Sequence, residues 1–202
     1  IKTTFAENNL TFNDQEFLSN TKNDEGYLFP DKYLFPINTD ADTIASILKN
    51  TLNKKLVPLN SDIKKSGHTL HEILTMASLI EREAKTTESR KIISGILWKR
   101  IANDWPLQVD ATLQYARGYD PVLKDWWKSP LAGDKNINSP YNTYKNKGLP
   151  PGPICAPSLS SIEAAVYPDD SDYWYYLTDN QGVMHYSTTV EQHNQYVNLY
   201  LR

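Results

Sequence analysis

The segment from residue 69 to residue 85 constrains the fold of this chain most strongly, because it is apolar around most of a helical circumference. It begins with a capping box, in which the side chains of Thr69 and Glu72 bind free backbone N–H groups at the start of a helix. The small and apolar residues that follow are Leu70, Ile73, Leu74, Met76, Ala77, Leu79, Ile80 and Ala84. A narrow polar strip remains, formed by His71, Thr75, Ser78, Arg82 and Lys85. A helix that is apolar on most sides is buried on most sides, so the sequence predicts a globular domain built around it.

The rest of the chain predicts an α+β fold, in which a helical layer packs with a small antiparallel sheet. Further helices are predicted at about 41–54, 88–103 and 160–166, and after a capping box at 189–192. Residues 173–178 and 184–188 flank a loop that contains Gly182, which predicts a β-hairpin.

Two parts of the chain stand apart from the predicted helices and strands. Residues 1–24 are polar and are interpreted as a peripheral segment or the end of an upstream element, so the main domain is predicted to cover 25–202. Residues 104–160 are rich in Pro, Asn and Gly, and long irregular stretches of this kind are usually functional or disordered. Their Tyr and Trp content favours an ordered, functional stretch.

Composition argues against several classes of function. The formal net charge is −3 and the sequence pI is near 5.8, which argues against binding of nucleic acid phosphates as the main activity. Cys155 is the single cysteine, and the four histidines show no HExxH spacing, so no metal is predicted. No lysine lies in a recognisable cofactor setting, so no organic cofactor is predicted either. No apolar run approaches the roughly 18 residues that span a bilayer. The chain begins at Ile1 rather than at a methionine, and we expect it to be a piece of a longer protein.

Two glutamates near the end of the apolar helix are candidates for acid–base chemistry. At about 100° per residue, Glu83 projects inside the apolar arc close to Leu79, whereas Glu81 lies at the other edge of the arc. A carboxyl group in apolar surroundings resists ionisation, so its pKa rises and it can act as a general acid near neutral pH. The alternative is that both are ordinary surface glutamates, one of them paired with Arg82 or Lys85.

Five short motifs follow one another between residues 25 and 154. They are EGYLFPD at 25–31, ASLIERE at 77–83, PLQVDAT at 106–112, SPYNTY at 139–144 and GLPPGPI at 148–154. Their order and spacing resemble those of the endolytic murein transglycosylase family (YceG-like), and the resemblance extends to about residue 198. The SPYNTY and GLPPGPI strings are the most specific of the five. The resemblance implies that residues 25–202 are a transglycosylase catalytic domain.

The resemblance also implies a reaction on peptidoglycan glycan strands. The catalytic residue of the family is the second glutamate of the ASLIERE motif, which is Glu83 here, in agreement with the helical projection. The implied reaction cuts the bond between N-acetylmuramic acid and N-acetylglucosamine within a strand. The C6 hydroxyl group of the muramic acid, rather than water, closes a 1,6-anhydro ring. A single carboxyl group can then act first as acid and afterwards as base.

A substrate groove and a cellular setting are implied in the same way. The groove candidates are Gln108, Asp110, Thr112, Tyr141, Asn142, Tyr144 and His193. For the two tyrosines, packing of an irregular loop is the alternative, and for His193 it is capping or packing of the last helix. The parent protein is expected to carry one N-terminal membrane helix, outside this chain, that anchors an extracytoplasmic domain at the bacterial cell membrane beside peptidoglycan synthases.

Some positions depart from the family pattern. Ala111 stands where the family has proline, and His185 is shifted by one residue from the hairpin histidine of the family, so no role is transferred to it. The Trp126-Trp127 pair is interpreted as a local core anchor, with a sugar platform as the alternative.

Three other functions remain open at this point. A non-catalytic peptidoglycan-binding module would bind strands without cutting them, and a pyridoxal-phosphate lyase would need a lysine in a cofactor setting. A hydrolytic glycosidase would need a second carboxylate beside Glu83, for which Asp110 is the candidate.

Overall fold

A computed structural model of the chain describes residues 12–201, and the fold class is α+β, as predicted. The helices are α1 (Asp14–Asn20), α2 (Ala41–Leu56), α3 (Asn60–Ser66), α4 (Leu70–Glu83), α5 (Thr87–Ala102), α6 (Asp110–Arg117), α7 (Leu159–Val166) and α8 (Val190–Tyr200). Short 3-10 turns occupy Val57–Leu59 and Ala132–Asn136. The antiparallel hairpin is formed by β1 (Tyr175–Thr178) and β2 (Met184–Ser187). Between residues 12 and 201, no helix has both the length and the apolar character needed to cross a bilayer.

Helix α4 lies at the centre of the core, as its sequence predicted. In its capping box, the N–H of Thr69 donates to Oε2 of Glu72 at 2.7 Å, and the N–H of Glu72 donates to Oγ1 of Thr69 at 3.2 Å. All of residues 73–80 are buried, and the helix packs against α5, α6 and α7. Each large apolar side chain buried in this way stabilises the fold by roughly 1.5–3 kcal/mol. Helix α4 is therefore a rigid support for the residues at its C-terminal end.

The middle of the polar strip of α4 is covered, and its ends are open. Thr75 and Ser78 are 1% and 0% exposed, whereas His71, Arg82 and Lys85 are exposed. The GLPPGPI loop packs over Ser78. The N–H of Ile154 donates to Oγ of Ser78 at 3.0 Å, and Nε2 of His71 lies 2.8 Å from the carbonyl oxygen of Pro151. Polar contacts thus hold the proline-rich loop against α4.

The hairpin is attached to the helical layer through Arg100 of α5. The guanidinium group donates from Nε and Nη2 to the carbonyl oxygen of Trp174 at 3.1 and 2.6 Å, and from Nη1 to that of Leu107 at 2.6 Å. Hydrogen bonds from a charged donor stabilise by roughly 1.5–3 kcal/mol each. Because Trp174 directly precedes β1, these bonds fix the position of the hairpin relative to α5, while α8 packs on both strands.

The segment before residue 25 packs on the domain through a separate small cluster. Helix α1 begins after Asn13, whose side chain accepts from the N–H of Glu16 at 3.1 Å. Phe17 of α1 then packs against Ile44 and Leu48 of α2. Residues 1–11 of the predicted peripheral segment lie outside the described residues, and the boundary at residue 25 stays a prediction.

The predicted helices at 41–54, 88–103, 160–166 and after 189 are confirmed as α2, α5, α7 and α8. Helices α1, α3 and α6 were not predicted. No side chain caps α6, which lies in the stretch interpreted as irregular. Its Thr112 instead donates from Oγ1 to the carbonyl oxygen of Val109 at 2.7 Å, and that Oγ1 lies 2.9 Å from Oγ1 of Thr143. Contacts with a distant loop therefore help to hold α6.

Candidate active site

Glu83 is the last residue of α4, and its carboxyl group lies among α4, α6 and β1. The hydroxyl group of Tyr176 on β1 donates to Oε2 of Glu83 at 3.0 Å. The backbone N–H of Ala111, in the first turn of α6, faces the same carboxyl group. The residue keeps partial exposure toward two clefts. This placement follows from the end of the helix, because Ala84 is already extended and turns the chain away.

Burial raises the pKa of Glu83 from 4.5 to about 7. The hydrogen bond from Tyr176 opposes this rise, and the nearby charge of Asp110 adds to it. The N–H of Ala111 and the charge of Arg100 have smaller lowering effects on the pKa. At neutral pH the protonated and ionised forms are both populated, which suits a group that first gives and then takes a proton.

Two clefts meet at Glu83. The aromatic cleft has a volume of about 490 Å³, and its walls include Tyr144, Tyr175, Tyr176 and His193. The hairpin cleft has a volume of about 680 Å³, and its walls include Lys85, Glu88, Ser89, Gly182 and Met184. Glu83 and Thr178 belong to the walls of both clefts. Glu83 therefore lies where the two clefts adjoin.

Four of the predicted groove residues line the aromatic cleft together with Glu83: Gln108, Asp110, Tyr144 and His193. The hydroxyl group of Tyr144 donates to Oδ1 of Asp110 at 2.6 Å, which orients this carboxylate. The ring of His193 stacks on that of Tyr175, with 5.3 Å between centroids. Burial lowers the pKa of His193, so its imidazole is predominantly neutral at pH 7. This side of the site thus offers hydrogen-bonding groups and flat rings.

Gln108 adopts a strained backbone conformation, with a φ of 52°. Its neighbours Leu107 and Val109 are fully buried, so the turn between them leaves the Gln108 side chain exposed to the cleft. The N–H of Gln108 donates to the carbonyl oxygen of Thr143 at 3.1 Å and holds this turn. A non-glycine residue in the left-handed region costs roughly 1–2 kcal/mol, and such strain is concentrated at functional sites.

The other three predicted groove residues do not line the aromatic cleft, and their contact with substrate stays a prediction. Thr112 and Asn142 are fully buried. The amide of Asn142 donates to two backbone carbonyl groups at 3.1 and 2.9 Å and accepts from the N–H of Tyr144 at 3.0 Å. Tyr141 packs against the core, with its ring 4.8 Å from that of Tyr115. Thr112 and Asn142 are buried and already bonded and so help to shape the loop that carries Tyr144, whereas Tyr141 is half-buried.

Glu81 has a different environment from Glu83. Its Oε2 accepts from Oγ of Ser158 and Oγ of Ser161, each at 2.6 Å, and from the N–H of Ser158 at 3.1 Å. Its Oε1 accepts from Nη2 of Arg90 at 3.2 Å. Burial raises the pKa of Glu81, but these bonds outweigh burial and the net pKa is lowered. Glu81 is therefore a glutamate in an ion pair, as the alternative interpretation expected, but its partner is Arg90 on α5 rather than a residue of its own helix.

Sequence reasoning missed Tyr176 and Arg100 as residues of this site. Arg100 is 5% exposed and lies in the wall of the aromatic cleft. The available sequence signal for Arg100 was its position as a basic residue near the end of a helix with an apolar face. For Tyr176, the available signal was the alternation of side chains along a strand. This alternation places Tyr176 on the same face as Thr178, which belongs to the walls of both clefts.

The tryptophan pair, Cys155 and His185 lie outside the walls of the two clefts. Trp127 packs against the core beneath Arg82, whose guanidinium lies 3.8 Å from the ring centroid, whereas Trp126 is 47% exposed. Burial raises the pKa of the Cys155 thiol to about 12, which makes it a poor nucleophile. His185 contacts Oδ2 of Asp179 at 2.9 Å. Within residues 12–201, no three His, Cys, Asp or Glu side chains are grouped as ligands for a metal ion.

The fold and the site together define an α+β protein whose central helix presents a protonatable carboxyl group at the junction of two clefts. The chain belongs to the YceG-like family, whose model matches residues 1–199. It is 42% identical over 173 residues to a Bacillus subtilis (strain 168) protein named endolytic murein transglycosylase, covering 85% of this chain and 46% of that protein. A protein of the same name from Streptococcus pneumoniae serotype 2 (strain D39) is 38% identical over 178 residues, covering 86% and 31% respectively.

A crystal structure of a YceG-like protein from Listeria monocytogenes has the same fold. Its TM-score against this chain is 0.78 at 35% identity, and the match covers 90% of this chain and 64% of that one. The family resemblance drawn from the five motifs is thus confirmed. The chain spans 46% and 31% of the length of the two curated relatives.

Proposed function

We propose that this chain carries the catalytic centre of an endolytic peptidoglycan lytic transglycosylase, with Glu83 as its acid and base. The observation that carries the proposal is the buried carboxyl group with a pKa raised to about 7 at the junction of two clefts. The two curated relatives named endolytic murein transglycosylase support the reaction class. The substrate is the glycan strand of peptidoglycan.

The reaction needs one carboxyl group and no water. Protonated Glu83 donates to the oxygen that links C1 of N-acetylmuramic acid to N-acetylglucosamine, and the C1–O bond breaks. The resulting carboxylate takes the proton of the C6 hydroxyl group while O6 bonds to C1 of the same sugar. The products are a 1,6-anhydro-muramic acid end and a free hydroxyl group on the other sugar, and Glu83 is protonated again. A nucleophile within the substrate favours this route because it is already close to C1.

Cleavage within a strand is supported by the two clefts. A glycan strand that crosses Glu83 needs room on both sides of the scissile bond, and the aromatic and hairpin clefts extend from Glu83 in two directions. Sugars bind to flat aromatic faces and hydrogen-bonding groups, of the kind that Tyr144, Gln108 and His193 provide in the aromatic cleft.

Asp110 fits an electrostatic role in the same reaction. Its carboxylate is oriented by Tyr144 and lies in the wall of the aromatic cleft beside Glu83. When the C1–O bond breaks, positive charge develops on the sugar ring, and a preoriented negative group stabilises it.

The cellular setting is proposed from the family. We infer that the whole protein acts on the extracytoplasmic side of the bacterial cell membrane, held by an N-terminal anchor outside residues 1–202, next to peptidoglycan synthases. The names of the relatives support action on murein.

Product masses from defined glycan strands test the proposal. The wild-type chain is expected to give internal cuts with 1,6-anhydro ends, and Glu83→Gln to abolish them while the fold is retained. Glu191→Gln, an exposed change on α8, is the matched control and should cut like the wild type. Substantial lytic activity in Glu83→Gln would remove Glu83 from this role. Reducing ends would indicate hydrolysis instead, and strand binding without cuts would indicate a binding module.

A further inference from the structure

One oxygen of the Glu83 carboxyl group is already bonded to a residue of the hairpin. The hydroxyl group of Tyr176 donates to Oε2 at 3.0 Å, and the Tyr176 ring packs against the main core. The strand that carries it is paired through Tyr186 and is fixed at its start by the bonds from Arg100 to Trp174. The donor therefore belongs to a rigid part of the structure, and its direction is set before any substrate binds.

A carboxyl group that gives and takes a proton works best when one defined oxygen faces the substrate. Oε2 accepts the Tyr176 hydroxyl, and the N–H of Ala111 faces the same carboxyl group, so these two donors together fix its orientation. A hydrogen bond to an ionised acceptor is roughly twice as strong as one to a neutral acceptor. The bond from Tyr176 therefore strengthens as the proton leaves Glu83, so it stabilises the transition state more than the substrate complex.

We propose that Tyr176 is the positioning residue of this site, whose hydroxyl group orients the Glu83 carboxyl group through Oε2 and stabilises the carboxylate formed by proton transfer. This inference rests on the proposed role of Glu83. Burial raises the pKa of Tyr176 well above its usual value, and the charge of Glu83 adds to this effect. The phenol thus keeps its proton and donates in both states of Glu83.

Several other charged or polar groups act on Glu83 or line the clefts around it, and each remains in place when only the Tyr176 hydroxyl is removed. They are Asp110 and the N–H of Ala111 from α6, Arg100 from α5, Tyr144 and Lys135 from the long loop, His193 from α8, and Glu81, Arg82 and Lys85 beside it in the chain. Tyr176→Phe keeps the ring and its packing, so it isolates the contribution of the hydroxyl group.

A carboxyl ¹³C NMR titration of the full chain measures the proposed bond directly, with Glu83→Gln identifying the signal. In Tyr176→Phe the pKa of Glu83 is expected to rise by about one pH unit, the size that loss of one hydrogen bond to an ionised group implies. Incorporation of 3-fluorotyrosine at position 176, a stronger donor, is expected to lower that pKa. Tyr173→Phe is the matched control, because Tyr173 lies at the surface outside the walls of both clefts.

Kinetics on defined strands give a second readout. In Tyr176→Phe the basic limb of the kcat–pH profile should move upward by the same amount. The plateau value of kcat should fall about tenfold while KM changes less than about twofold, as expected for an interaction realised mainly in the transition state. A purely structural role would leave the basic limb in place.

The outcomes separate this inference from the proposed function. If Glu83→Gln is inactive but Tyr176→Phe titrates and turns over like Tyr173→Phe, the role of Tyr176 is refuted and that of Glu83 is kept. If Glu83→Gln stays lytic, the proposed function fails, and the NMR titration still reports whether Tyr176 controls the ionisation of Glu83. Should Tyr176→Phe not fold, the fluorotyrosine variant decides, and an unchanged pKa there refutes the proposal.

Discussion

Glu83 should lower the stability of the folded chain above neutral pH, and a glutamine in its place should remove this effect. Burial raises the pKa of Glu83 from 4.5 to about 7, so between these pH values the folded state holds a proton that the unfolded state has lost. Stability falls as pH rises wherever the folded state binds more protons. At about 1.4 kcal/mol per pH unit, the free energy of unfolding should lose about 3 kcal/mol across this interval.

Urea unfolding of the wild-type chain and of Glu83→Gln, from about pH 4 to about pH 9, measures this effect. Glutamine has nearly the shape of glutamic acid and keeps an acceptor for Tyr176, but it does not titrate. The free energy of unfolding of the variant minus that of the wild type should therefore increase by about 3 kcal/mol between pH 4.5 and 7, and stay level above. Contributions from titrating groups that do not interact with Glu83 cancel in this difference.

Glu191→Gln provides the control, because an exposed side chain should give a difference that hardly changes with pH. A flat difference for Glu83→Gln as well, or one that decreases with pH, would show that the carboxyl group is as well solvated in the folded chain as in the unfolded one. That result would also remove the physical basis for its role as a general acid. The expected result would show a group that is kept at a cost in stability, as is common for functional residues.

Two further changes probe the residues around the site. Glu81→Gln should lower the free energy of unfolding by about 3 kcal/mol, because it leaves Arg90 without an anionic partner. Since the pKa of Glu81 is lowered, this loss of stability should shrink as pH falls below 4.5, while lytic activity in the folded state should persist. Chemical denaturation beside the exposed control Glu88→Gln measures the loss, and equal stability of the two variants would contradict the prediction. Asn142→Ala should lower the free energy of unfolding by about 2–3 kcal/mol, because two backbone carbonyl groups lose their donor. Thermal unfolding beside the exposed control Asn180→Ala checks this, and the prediction fails if both variants melt at the wild-type temperature.

The sequence by itself determined the features that depend on local patterns. The capping box at Thr69 and the spacing of apolar residues predicted the central helix, because helix starts and buried faces are encoded by neighbouring residues. The same period placed Glu83 on the apolar side of that helix. The hairpin and the predicted helices at 41–54, 88–103 and 160–166 were found in the same way.

Tertiary structure alone decided which polar residues face the clefts. Helix α6 depends on bonds between Thr112 and a loop about thirty residues later, and Asn142 is buried because its amide holds that loop. No period or capping signal in the sequence reveals such contacts, since both partners are distant along the chain.

The difference between the two glutamates has the same origin. Glu81 is satisfied by serines almost eighty residues away, and Glu83 by Tyr176 from a strand more than ninety residues away. A pKa depends on burial and on the groups that surround the carboxyl group in space. The sequence could therefore place Glu83 on the correct face of its helix, but only the folded chain sets how strongly it holds its proton.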